Sequence, residues 1–217
     1  MLSENEIIPY WSERAHRLKA TAVGYGDKAL SEQDKHYQIT TDFIKANIDV
    51  NLNTIDYGCG IGRYSPIFKG KYVGVDVSEE LLQIAKKNNE NCEFKLLSQP
   101  FLPKFAHFSS DLEQFFTATV LQHINDDMVH KVYQSLFNLN PYKLKTIVAY
   151  ENSENWTKPH VVGRMPELYV KFITDVGFRI DNIHYNSIIV KGEKHTLTLI
   201  DLKPMKLNST RNSNETV

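Results

Sequence analysis

Cysteine is scarce in this chain, with two among 217 residues. Cys59 and Cys92 cannot build a disulfide framework, and reduced thiols are the expectation. Excess charge of one sign is also missing. The formal net charge is −1, so nothing in the whole-chain balance announces a polyanionic partner, although a local basic patch stays open. No hydrophobic run approaches the ~18 apolar residues that span a bilayer. The opening Met1-Leu2-Ser3-Glu4-Asn5-Glu6 is acidic and polar, the reverse of a secretory signal, so a cytoplasmic setting is expected. The eight histidines are scattered, without His-x-x-x-His or paired-cysteine spacing, and no metal site is expected. What remains is 41% hydrophobic and 24% charged, ordinary for a globular chain and far from collagen-like or wholly disordered composition.

From about Asn53 onward, short β-rich runs alternate with amphipathic stretches. Strands are expected at 52–57, 71–76, 92–97, 115–121 and 146–150. Ser78 is placed to cap a helix over 78–87 that buries Leu81, Leu82, Ile84 and Ala85. Asn125-Asp126-Asp127 starts another helix, carrying Met128, Val129, Val132, Tyr133, Leu136 and Phe137 inward. A third runs over 166–173 and stops near Gly177. The β-like runs 179–190 and 195–202 have no helix between them. This order predicts an α/β Rossmann-like three-layer sandwich, mostly parallel, with an antiparallel C-terminal edge. Residues 1–50, helical around 7–18 and 36–48, are expected to cover the end of the sheet. Residues 51–205 form the main domain, and 206–217, polar and aperiodic, form a mobile tail.

The sharpest signal is Asp56-Tyr57-Gly58-Cys59-Gly60-Ile61-Gly62-Arg63, between the first strand and a helix-like stretch. Glycines there let the backbone turn tightly and approach a ligand. Asp76 ends the next strand, where a carboxylate can accept both hydroxyls of a ribose. A dinucleotide fingerprint begun at Gly58 would need glycine where Arg63 stands, and no phosphate loop of the G-x-x-x-x-G-K-[ST] kind occurs.

This first motif, together with Tyr72-Val73-Gly74-Val75-Asp76-Val77-Ser78, resembles the first two motifs of the S-adenosylmethionine-dependent methyltransferases of Rossmann-like fold. Thr119-Val120-Leu121-Gln122-His123-Ile124, followed by Asp126, resembles the strand-four segment of that family's small-molecule branch. The resemblance implies S-adenosylmethionine as cofactor. It places the methionine end at Gly58 and Gly60 and the ribose at Asp76. Asp56, Cys59, Val77 and Thr119 belong to the same motifs, while Leu97 and Ser98 would border the adenine. One departure is the stretch Leu97-Ser98-Gln99-Pro100, which lacks the acid that many relatives carry after strand three. Arg14, on the N-terminal helix with Trp11, is a candidate partner for the methionine carboxylate.

The loops after strands four and five line the acceptor side of such a crevice. His123 is the leading candidate there, its neutral imidazole suited to act as a base near pH 7. Glu151 stands as base, acceptor clamp or cap. Gln122, His160 and Arg164 are candidate acceptor contacts, the last two on an insertion that suits a lid. Cys59 reads as a packing residue. The [D/N/S]-P-P-[Y/F/W] motif of amino-methylating DNA enzymes is absent from the end of strand four, and neither cysteine follows a proline. DNA methylation is therefore disfavoured, and RNA methylation is the first rival. A cofactor-binding protein without catalysis is the second. The expected activity is methyl transfer to oxygen or nitrogen of a small-molecule, sugar-like or lipid-linked acceptor. The sequence leaves the oligomeric state open.

Overall fold

The computed structural model describes residues 4–18, 22, 30–102, 111–139, 142–153, 157–158, 161–190 and 192–205. The expected tail, 206–217, and His160 lie outside them. Two helices, α1 (Glu4–Leu18) and α2 (Leu30–Asn47), precede the sheet. The chain continues as β1 (Thr54–Tyr57), β2 (Tyr72–Asp76), α3 (Glu79–Asn88), β3 (Glu93–Leu96), β4 (Gln114–Ala118), α4 (Asp126–Leu139) and β5 (Thr146–Asn152). A short antiparallel pair follows, β6 (Thr157–Lys158) with β7 (Val161–Val162), then α5 (Pro166–Asp175), β8 (Ile180–Val190) and β9 (Glu193–Leu202).

The seven-stranded sheet runs β3-β2-β1-β4-β5-β9-β8. Its first five strands are parallel, β9 is antiparallel to β5, and β8 is antiparallel to β9. This is the Rossmann-like three-layer arrangement with the expected antiparallel edge. Strands β1, β2 and β4 are buried along their whole length, as parallel strands covered on both faces are, polar Thr54, Asp56, Gln114 and Thr117 included. The strand order turns at β1, which has β2 on one side and β4 on the other, and this opens a crevice above their carboxyl ends.

One face of the sheet packs Ile55, Phe115 and Ile147 against Val129, Val132 and Tyr133 of α4 and Tyr169 and Ile173 of α5. The opposite face packs Phe94, Phe116, Val148 and Tyr150 against Leu82 and Ala85 of α3 and Ile44 of α2. Local signals set the helix starts. Ser78 Oγ accepts the Leu81 N–H (3.3 Å) at the start of α3, and Asn125 Oδ1 accepts that of Met128 (2.9 Å) at α4. Acids in the first turn of α3 and lysines in its last complement the helix dipole.

Three expectations change. The helix-like stretch after the glycine loop is only a three-residue 3-10 turn, Ser65–Ile67. Left-handed glycines run through Gly62 and delay the start, and the backbone is already extended at Phe68, so no longer helix forms. The first fifty residues do more than cover the sheet's end. Helix α2 lays Ile44 into the core of one sheet face, while α1 sets Ala15 against Leu81 of α3. Finally, β4 stops at Ala118, short of the expected 121. Thr119 turns to φ +56°, and Leu121–His123 forms a 3-10 turn.

Candidate active site

On the β1–β2 side, the backbone shapes the crevice. Gly58, Gly60 and Gly62 hold φ of +72°, +55° and +70°, a region that disfavours side chains. Gly58 is also a close-approach position, since a Cβ there would lie 2.5 Å from Cγ2 of Val120. The Gly58 and Cys59 N–H groups both donate to the Val75 carbonyl (2.8 and 3.0 Å), tying the loop to β2. Asp76, 7% exposed, accepts the Gly60 N–H at Oδ2 (2.8 Å) and the Ser78 N–H at Oδ1 (2.9 Å). Burial raises its pKa despite these bonds. Asp56 lies beneath the loop, 2% exposed, and accepts the Tyr72 hydroxyl (2.6 Å). Burial pushes its carboxyl up to about 7, although the Tyr72 bond works the other way.

On the β4–β5 side, side chains shape the crevice. Glu151, 2% exposed at the end of β5, accepts three backbone N–H groups: Val120 and Leu121 at Oε1 (3.1 and 3.0 Å) and Gln122 at Oε2 (3.3 Å). Burial drives its pKa up to about 7, against the lowering effect of those donors and of Arg164. Arg164, 3% exposed just before α5, donates Nη1 to the Leu121 carbonyl (2.7 Å), Nη2 to that of Ile124, and Nε to Asp126 Oδ1 (2.8 Å). His123 is half-buried on this loop and meets Trp11 of α1 edge to face, ring centroids 5.1 Å apart.

A family profile described as a methyltransferase domain matches residues 48–168, more than half of the chain. The chain belongs to this methyltransferase family. Its sheet order, glycine loop and strand-end acid are those of the S-adenosylmethionine-dependent, Rossmann-like enzymes that its motifs resemble. Solved structures share the fold. Magnesium protoporphyrin IX methyltransferase from Synechocystis PCC 6803, with bound SAH, is 16% identical with a TM-score of 0.65, over 92% of this chain and 100% of that one. A SAM-dependent methyltransferase from Leishmania major is 14% identical with a TM-score of 0.64, over 92% and 82%. The cyclopropane synthase MmaA2 from Mycobacterium tuberculosis is 10% identical with a TM-score of 0.58, over 88% and 94%. No curated protein sequence matches.

The methyltransferase gathers its expected residues unevenly. Gly58 and Gly60 follow β1 beside Asp76 and half-buried Val77 at the end of β2, with Thr119 across the switch point just after β4. Cys59 is buried, with burial holding its thiol protonated well above the usual range. Asp56 turns to Tyr72, and Leu97 is a core residue, its N–H bonded to the Asp76 carbonyl (2.8 Å), with Ser98 exposed beside it. Arg14 donates Nε to the Ala22 carbonyl (2.8 Å) and lies over the Trp11 ring. Gln122 accepts the Asn152 N–H (3.2 Å), so its amide oxygen faces β5.

Of the roles left open for Glu151, the geometry has that of a cap, its carboxylate accepting three amides, while the Arg164 guanidinium donates to two carbonyls and Asp126. Sequence reasoning passed over Tyr72, which holds Asp56, and Tyr37, whose hydroxyl donates to the Arg63 carbonyl. It also missed buried His195, stacked on Tyr150 with centroids 5.4 Å apart. Tyr72 opens the second motif without a role signalled by it, and Tyr37 and His195 carry no local motif; the register of adjacent strands and the packing of α2 bring them in.

Proposed function

We propose that this methyltransferase uses S-adenosylmethionine to methylate an oxygen or nitrogen of a small-molecule, sugar-like or lipid-linked acceptor. The observation that carries the reading is the buried Asp76 carboxylate at the end of β2, fixed by Gly60 and Ser78. A carboxylate offers about four lone-pair positions. Backbone N–H groups of Gly60, Ser78 and Val77 take part of that capacity, and the rest is left for a ribose hydroxyl, whereas a phosphate would meet a buried like charge. The residues therefore fit a nucleoside without a phosphate. The bound SAH of the Synechocystis relative supports the same choice.

When bound, S-adenosylmethionine supplies an electrophilic methyl on a sulfonium. Asp76 accepts a ribose hydroxyl, and the left-handed turn at Gly58 and Gly60 brings backbone rather than side chains to the methionine end. His123 takes or orients the acceptor proton at a ring nitrogen, while Trp11 against it limits water at the crevice mouth. The near-zero net charge supports a small acceptor over a nucleic acid.

The test is methyl-labelled S-adenosylmethionine incubated with the protein and, in separate reactions, a low-mass cell extract, total RNA and DNA. Label is expected on oxygen or nitrogen in the low-mass fraction. Label in RNA alone would overturn the acceptor class.

A further inference from the structure

Segment 119–124 carries His123 and lies beyond the end of β4, where Thr119 N–H still donates to the Tyr150 carbonyl (2.7 Å). Five further backbone groups of the segment are satisfied by two buried side chains, an acid and an arginine. Glu151 takes the N–H groups of Val120, Leu121 and Gln122, and Arg164 takes the carbonyls of Leu121 and Ile124. The two residues flank one excursion of the chain, closed at its base where the Arg164 N–H donates to the Asn152 carbonyl (3.4 Å). Gln122 adds its bond to the Asn152 N–H, and Asp126 pairs with Arg164 from the start of α4. Tyr169 and Tyr133 lie close enough to feel both groups.

Stability alone is a poor reason for this pair. Taking an acid and a guanidinium out of water is costly, and apolar residues of similar size often serve as well. An apolar pair would, however, leave five backbone groups of the segment without these partners. The segment also begins on Thr119 at φ +56°, a strained conformation for a β-branched residue that persists only where the surroundings enforce it. Strain and buried charge at one loop beside the crevice indicate a conformation set for function.

We propose that Glu151 and Arg164 are positioning residues, a buried carboxyl and a buried guanidinium that together clamp segment 119–124 and so set His123 at the acceptor side of the crevice. The link to methyl transfer rests on the reading of His123 given above; the clamp itself does not.

Amide hydrogen exchange on the full chain, read by NMR, tests it. In the wild type, Val120, Leu121 and Gln122 are expected to exchange as slowly as sheet amides; free exchange there overturns the clamp. In Glu151→Gln, and in Arg164→Lys, whose point charge cannot reproduce the guanidinium fork, these amides should exchange about tenfold faster or more. The His123 ring resonances should shift, while β2 amides stay as in the wild type. A uniform acceleration across the sheet, or unchanged exchange in both folded variants, would overturn it. S-adenosylhomocysteine binding, measured in parallel, is expected to stay within about threefold of wild type in both variants. Failure of the wild type to bind would count against the cofactor reading and leave the exchange result standing.

Discussion

On the β1–β2 side of the crevice the backbone makes the site, and on the β4–β5 side buried side chains make it. The first wall comes from adjacent strands. Gly60 and Asp76, sixteen positions apart, meet because β1 and β2 pair in parallel. The second wall joins groups 30 and 43 positions apart, Glu151 and Arg164 to Leu121. A wall built of glycine dihedrals and one capping acid must keep its residue types in a fixed local pattern. A wall held by long-range bonds from buried side chains can draw them from anywhere that the topology brings close.

The comparison is sharpened most at Gly58. Replacing it with Ala puts a Cβ into the stiff Val120 side chain at φ +72°, so the two walls collide. Positive-φ strain and overpacking together should cost about 2–4 kcal/mol of stability. S-adenosylhomocysteine affinity should fall as well, as denaturant melts and titration would show. Next comes Asp76→Ala, which removes the proposed ribose partner together with the carboxylate's bonds to Gly60 and Ser78. It should weaken cofactor binding by about 1–3 kcal/mol with a smaller change in melting temperature. Unchanged affinity would remove Asp76 from the site.

Burial lifts one acid of each wall to about 7, Asp56 and Glu151, and raises Asp76 of the first wall as well. Asp56 and Glu151 keep a proton in the folded chain up to about pH 7 but lose it near pH 4 when unfolded. The folded chain thus binds more protons between those limits, and stability falls as pH rises through them. The melting temperature should be several degrees higher at about pH 5.5 than at about pH 8, and Asp56→Asn, which still accepts from Tyr72, should flatten part of the slope. Glu113, held low by Lys145, works in the opposite direction, weakly because the pair is partly exposed. The smallest effect on the cofactor belongs to His123→Ala. Affinity for S-adenosylhomocysteine should change by less than about twofold, while transfer to the acceptor drops. Equal loss of both would mean that the acceptor wall also holds the cofactor.

The same difference decides what could be read from the sequence. Sheet class, the antiparallel edge, the Ser78 cap and the glycine loop follow from periodicity and short spacing, and the structure contains them. The end of β4 was misread because Val120 and Leu121 look like strand, and nothing nearby signals that Glu151 collects their amides. Arg164 on a polar insertion reads as a lid, yet its burial depends on carbonyls of a distant loop. The helix expected after Gly62 is a single turn, begun with Pro66 in its first turn and ended by extended Phe68, an end that no stop residue announces.

Titration calorimetry with S-adenosylmethionine and S-adenosylhomocysteine, with NAD as the control, tests the central claim most directly. The account predicts micromolar-range binding of the first two, weakened in Asp76→Ala, and none of NAD. Binding of NAD, or no binding of either sulfonium-derived nucleoside by the folded wild type, would contradict it.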